Sequence, residues 1–268
     1  MMDSTVTLPA PRQPITATLH SDGAPKGPAV LLLHGFTGTR DEMAIPGAGE
    51  GVFARTARLM GAEGFASLRI DFRGSGDSTG AMSFADSDIE SQVADTLLAL
   101  DWLRRRGHGP LHLLGWSQGG LVAALAAGRG AEVASVSLWN AVAEPQVSYP
   151  RILGPAMMAE GLAARDPGTL ISTTLPWGAG IRLRGRFFDQ LAHLDPATEL
   201  AGYPGPLLVA WGSRDPLVPE TSARRLLESH SGPQVIYRAG FDHAFDISQG
   251  TRALDALIAE TLRFLPRP

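Results

Sequence analysis

The sequence contains no cysteine and only one lysine, Lys26. Without cysteine there can be no disulfide, no thiolate nucleophile and no thiolate-bound zinc. With one lysine among 23 basic residues, a lysine-rich anion patch is excluded as well. The net charge of −4 is spread without long runs of either sign, which argues against a nucleic-acid partner. The longest apolar runs, such as AVLLL at 29–33, fall far short of the roughly 20 residues that span a bilayer. The opening MMDSTVTLPAPRQPI has no apolar segment of the secretory kind. The expectation is a soluble, cytoplasmic protein with no membrane partner.

What is present is enough apolar material for one sizeable core: 268 residues, 44% hydrophobic. TVTL (5–8) and PITATLH (14–20) read as strands across a Pro-containing turn. PAVLLLHG (28–35) is a short continuous apolar run between Pro and Gly, hence a buried strand. A helix is expected over 50–64, a strand over 66–72 (ASLRIDF), and then a loop, RGSGDSTG. Ser87 and Glu90 form a capping-box pattern ahead of a helix with Ile89, Val93, Leu97 and Leu100 at helical spacing. LHLLGWS (111–117) is strand running into turn, and GGLVAALAAG (119–128) is helix. VASVSLWN (133–140), PLLVAWG (206–212) and QVIYRAG (234–240) are strands, and a helix follows at 251–265. Alternating strands and helices call for a parallel sheet with helical crossovers. Residues 141–205 break this rhythm. They hold several prolines with Trp177, Phe187 and Phe188, and read as a cap inserted between two late strands. The expected organisation is a core of 1–140 and 206–268 with the cap at 141–205, one domain overall.

The pattern G-x-S-x-G, which can mark a serine nucleophile on a sharp turn, occurs twice: GDSTG at 76–80 and GWSQG at 115–119. Context separates them. A nucleophile needs a buried strand before it, to deliver it to the sheet's C-terminal edge. It needs a helix directly behind it, whose N-terminus favours negative charge. Ser117 has both; Ser78 lies in a loop with no helix opening until about Ser87, and reads as a turn residue.

A serine hydroxyl needs a base, and the base an orienting acid. Of the seven histidines, His193, His230 and His243 follow Ser117, the chain order of the doubly wound hydrolase arrangement. His193 lies in the insertion and His230 before the last strand, at the wrong end of the sheet. His243, in GFDHAF, lies just past that strand's C-terminal end. For the acid, Asp215 in GSRDPLVP sits just beyond a strand end. Among its rivals Asn140 is uncharged, Glu144 is four residues into the insertion, and Asp242 is expected to point away from its neighbour's imidazole. An oxyanion would be held by the backbone N–H of Gln118 and that of Phe36 in HGFTG. His34 precedes Ser117 and reads as a histidine that shapes this loop. Trp116 and Trp177 are candidate pocket residues. No G-x-x-x-x-G-K occurs, and no histidine pair has metal-ligand spacing on one helical face.

HGFTGTRDE, DFRGSGDSTG, GWSQGG, GSRDPLVP and GFDHAF, in this order, resemble the α/β-hydrolase superfamily over about residues 25–268. HGFTG, the DFRGSGDS loop and an insertion ending RLRGRFFDQL are most similar to its small cinnamoyl/feruloyl esterase-like branch. The resemblance implies an α/β-hydrolase fold: a mostly parallel, doubly wound sheet flanked by helices. It implies a cofactor-free serine carboxylesterase whose partner is a small-molecule ester. Ser117, Asp215 and His243 would be its triad, and Phe36 and Gln118 its oxyanion donors. Thioester, lactone and peptide hydrolysis use the same triad, and a non-catalytic binding protein could keep the fold. The sequence departs from the branch at Trp116, where histidine often stands, so its acyl pocket is expected to differ.

Overall fold

A computed structural model describes residues 1–23, 27–176 and 178–266. The apolar run after the first turn forms β3 (Gly27–Leu33), inside an eight-stranded sheet. Across the sheet lie β1 (Met2–Leu8), β2 (Ile15–Ser21), β4 (Ala66–Ile70), β3, β5 (His108–Trp116), β6 (Ser135–Trp139), β9 (Leu207–Gly212) and β10 (Gln234–Ala239). The β1–β2 and β2–β4 pairs are antiparallel, and the remaining pairs are parallel.

The continuous apolar character of β3 follows from burial on both faces. Ala29, Leu31 and Leu33 enter one core, Val30 and Leu32 the other. The first core is covered by α2 (Ile89–Arg105), α3 (Gln118–Gly128) and α8 (Glu220–Ser229). The second is covered by α1 (Val52–Ala62) and α9 (Arg252–Phe264). At about 2 kcal/mol for each fully buried aliphatic side chain, one strand ties both layers together. No helix among the described residues is long and apolar enough to cross a membrane.

The start of α2 differs from the sequence pattern. Its N-cap is Asp88, whose carboxylate accepts the Ser91 N–H at 2.8 Å, while the Ser91 hydroxyl accepts the Asp88 N–H at 3.0 Å. Ser87 instead accepts from the Gln92 carboxamide at 3.2 Å. Glu90 is unavailable as a capping partner because its carboxylate is held by Arg129. Leu97, expected on the apolar stripe, is 43% exposed. The buried face is turned to include Gln92 and Asp95, which make polar bonds to Gln118 and Arg73.

Between β6 and β9 the chain forms α4 (Pro145–Leu153), α5 (Pro155–Ala163), an antiparallel ribbon of β7 (Leu170–Thr174) and β8 (Gly180–Arg184), then α6 (Gly185–His193) and α7 (Pro196–Leu200). Tyr149, Ile152, Phe187 and Phe188 of this insertion belong to the same apolar cluster as α2 and α3.

Candidate active site

Ser117 occupies the turn between β5 and α3 with φ +56° and ψ −116°, a conformation costly for a residue bearing a Cβ. The strain is held by bonds on both sides: Ser117 N–H to Trp139 O at 2.9 Å, and Val142 N–H to Ser117 O at 3.2 Å. The flanking glycines are required by close approach. A Cβ on Gly115 would lie 2.1 Å from the Gly119 carbonyl oxygen, and one on Gly119 2.0 Å from that of Leu33. The strand and the helix can therefore meet only through bare backbone.

Ser117 Oγ lies 3.0 Å from His243 Nε2, and His243 Nδ1 lies 2.6 Å from Asp215 Oδ2. Asp215, with a fully buried side chain, uses its other oxygen to accept the N–H groups of Leu217 and Val218 at 2.8 and 2.9 Å. A carboxylate so held is acceptor only. The Nδ1 proton therefore points to Asp215, leaving Nε2 bare to take a proton from the serine. Asp242, the neighbour of His243, accepts the N–H groups of Ala244 and Asp246, both at 2.9 Å, and so shapes the loop.

The loop from β3 supplies the opposite wall. His34 is buried, receives the Phe72 N–H on Nε2 at 3.2 Å and donates from Nδ1 to the Gly35 carbonyl at 2.8 Å. Burial lowers its pKa, so it is held neutral with the proton on Nδ1. Beyond it, the N–H of Phe36 and that of Gln118, the first residue of α3, donate to no acceptor among the described residues. Gln118 directly follows Ser117, and Gly35, the residue before Phe36, packs against the serine: a Cβ there would lie 3.4 Å from the Ser117 Cβ.

A cavity of about 560 Å³ opens on the serine, lined by Phe36, Glu42, Met43, Trp116, Ser117 and His243 among others. Ile152 of α4 and Leu217 contribute apolar surface. A neighbouring cavity of about 450 Å³ shares Thr37 and Gly38 with it and reaches the ribbon at Ile181 and Arg182. Trp116 is 5% exposed, and its indole N–H donates to the His243 carbonyl at 3.1 Å. Trp177 lies outside the described residues. No cluster of three or more histidine, aspartate or glutamate side chains placed to hold a metal occurs among the described residues.

Ser78, the serine of the twin motif, is not an ordinary turn residue. It is fully buried, donates to the Asp71 carbonyl at 2.8 Å and accepts the Thr16 N–H at 2.8 Å. Its hydroxyl staples the glycine-rich loop to β2 and the end of β4, both side-chain bonds being made to main chain, while its backbone N–H closes the turn onto the Ser75 carbonyl at 2.9 Å. Loop composition alone did not reveal this, because the partner strand is distant in sequence.

Sequence reasoning set aside or passed over several residues around the serine. Asn140, weighed only as an acid, has φ +42°; it accepts the Gly212 N–H at 2.9 Å and donates to the carbonyls of Asp242 and His243 at 3.3 and 3.2 Å. It braces the two loops that carry Asp215 and His243. Behind Gln118, the side-chain carboxamide donates to Gln92 at 2.8 Å and accepts from the Tyr149 hydroxyl. The sequence signal for this network is a polar group on each of three buried helix faces, Gln92, Gln118 and Tyr149.

The profile of the Alpha/beta hydrolase family matches residues 30–256. No curated protein matches by sequence. Among solved structures, the chain is similar to Est1E from Butyrivibrio proteoclasticus with bound ferulic acid, at 18% identity and TM-score 0.71, covering 96% of this chain and 99% of that one. It is also similar to the α/β hydrolase GrgF from Penicillium sp. sh18, at 18% identity and TM-score 0.76, covering 98% of each. A third is the esterase domain of a Rhodothermus marinus protein, at 23% identity and TM-score 0.70, covering 98% and 99%. At these identities the structural likeness speaks to the fold. The family profile spans most of the chain, and the strand–serine–helix turn lies within it: this chain belongs to the alpha/beta hydrolase family.

Proposed function

We propose that the protein is a serine hydrolase that cleaves carboxylic esters of small acyl or aryl acids through an acyl-enzyme on Ser117. The observation that carries this reading is the unbroken relay from Ser117 Oγ to His243 at 3.0 Å and from His243 to Asp215 at 2.6 Å. His243 Nε2 takes the hydroxyl proton as Ser117 Oγ attacks the ester carbonyl. The carbonyl oxygen, now negative, accepts from the N–H groups of Phe36 and Gln118. The imidazolium returns its proton to the departing alcohol. Water, deprotonated by the same nitrogen, then releases the acid and regenerates the serine. Asp215 remains ionised and stabilises the imidazolium throughout. A cavity with mostly apolar walls and no cationic side chain among its lining residues suits a neutral ester.

The test is turnover of short p-nitrophenyl esters, run beside matched thioesters, lactones and peptides. Esters are expected to be the preferred class, with Ser117→Ala inactive on all of them. Full activity in that variant, or turnover of thioesters or peptides alone, would overturn the reading.

A further inference from the structure

The acyl-transfer chemistry leaves one ionisable side chain of the cavity without a task. Glu42 lines the same space as Ser117 and His243. Its Oε1 accepts the N–H of Gly35 at 2.5 Å, and Gly35 is the residue that precedes the Phe36 donor. The carboxyl is wrapped by the turn it holds: a Cβ on Gly38 would come within 2.6 Å of both its oxygens. Gly38 N–H to Gly35 O at 3.1 Å and Glu42 N–H to Thr39 O at 3.0 Å close that turn. The backbone of Glu42 sits at φ +56°, a region that a residue with a Cβ enters only when its surroundings insist. Main chain and side chain together thus present this carboxyl to the Gly35–Phe36 segment.

The charged groups around it give no salt bridge. Arg40, on the same loop, is engaged by Asp71 at the end of β4 and by Asp77. His34, at the end of β3, is neutral. His243 faces the cavity from the loop after β10. Among the described residues Glu42 makes no ion pair. Burial, with the Gly35 N–H opposing it and Asp71 adding to it, pushes the carboxyl up to about 8. Near neutral pH it keeps its proton and sets no negative charge against the Gly35–Phe36 peptide, while Asp41 next to it on the loop is paired with Arg69.

We propose that Glu42 is the positioning residue of the Phe36 oxyanion donor: as a neutral acid it fixes the Gly35–Phe36 peptide, and on ionising it sets a negative charge beside the forming oxyanion and slows acyl transfer. This rests on the serine-hydrolase reading of Ser117. The charge acts through the field at the loop, and the hydrogen bond acts through geometry, so two substitutions separate them. In Glu42→Gln the side-chain carbonyl still accepts from Gly35 but nothing ionises. In Glu42→Ala the acceptor is gone.

The experiment measures two rates from pH 6 to pH 10. One is phosphorylation of Ser117 by diethyl p-nitrophenyl phosphate, a neutral probe needing the serine and its oxyanion donors but no ester preference; the other is kcat/KM for p-nitrophenyl acetate. In the wild type both are expected to fall about tenfold between roughly pH 8 and pH 9.5. Glu42→Gln is expected to stay level over that range and within about threefold of wild type at pH 7. Glu42→Ala is expected to be about tenfold slower at every pH, mostly in kcat. Thermal unfolding at each pH confirms that folded protein is being compared, and if Glu42→Ala does not fold, the Glu42→Gln profile decides. An alkaline fall retained in Glu42→Gln, or wild-type rates in a folded Glu42→Ala, overturns the proposal. A wild type that reacts with the phosphate but hydrolyses no ester overturns the ester reading and leaves the Glu42 test in force. A wild type that does neither overturns both.

Discussion

The indole N–H of Trp116 donates to the main-chain carbonyl of His243 at 3.1 Å, and the two rings lie 5.5 Å apart. The residue before the serine therefore holds the loop that brings the imidazole to that serine. Its ring also packs 5.4 Å from Phe245, just past the histidine. Trp116 thus lines the cavity while its polar edge fastens the loop that carries His243.

Replacing Trp116 by Phe keeps most of the apolar surface and removes the donor. The expected result is a fall of about tenfold in kcat with KM within about twofold, because a small displacement of the base costs reactivity more than binding. Steady-state kinetics on one short ester checks this. Unchanged kcat would show that Asn140, which bonds the same carbonyl at 3.2 Å, suffices alone.

The two motif serines should fail in opposite ways. Ser117→Ala is expected to lose at least about 10⁴-fold in turnover with wild-type stability. Ser78→Ala strands the Asp71 carbonyl and the Thr16 N–H, which should cost about 1–3 kcal/mol of stability, while turnover of the folded fraction stays near normal. Chemical denaturation alongside kinetics distinguishes them.

Tyr149 reaches from the insertion to the side chain of Gln118. Tyr149→Phe leaves the Gln118 carbonyl oxygen buried with one partner fewer, and should lower stability by about 1–2 kcal/mol. It should also reduce kcat several-fold, since the proposed oxyanion donor is the main-chain N–H of Gln118 at the start of α3. A loss of stability with no change in kcat would confine the network to packing.

His112 should make the fold acid-sensitive. It is fully buried, and desolvation lowers its pKa to about 4. Above the ordinary value of 6.5 both folded and unfolded chains hold it neutral. Between pH 6.5 and 4 the unfolded chain takes up a proton that the folded one refuses, so stability falls as pH falls, by about 3 kcal/mol in all. His112→Leu should flatten that slope in denaturation curves at pH 7, 5.5 and 4.5. Buried His34 acts in the same direction and should account for part of the slope that remains.

Much of the candidate site could be read before any tertiary structure, for a physical reason. A serine on a strand-to-helix turn needs small residues next to it, and GWSQGG shows them directly. Asp215 and His243 each follow a strand end, and parallel strands bring their ends to one edge of the sheet, so spacing along the chain foretells proximity. The start of α2 was less legible, because Ser83, Ser87, Asp88 and Ser91 are all competent caps. The cap is Asp88, and Glu90 pairs instead with Arg129, which caps the C-terminus of α3.

What the sequence by itself determined is the alternation of elements, the layered sheet, and which serine follows a buried strand and precedes a helix, since these depend on local pattern. Only the tertiary structure decided that Ser78 is a staple, that Asn140 and Trp116 brace His243, that Tyr149 grips Gln118 and that Glu42 bonds Gly35. Each is a hydrogen bond to a partner fixed by folding, and a polar side chain shows its chemistry in the sequence but not the group that will satisfy it.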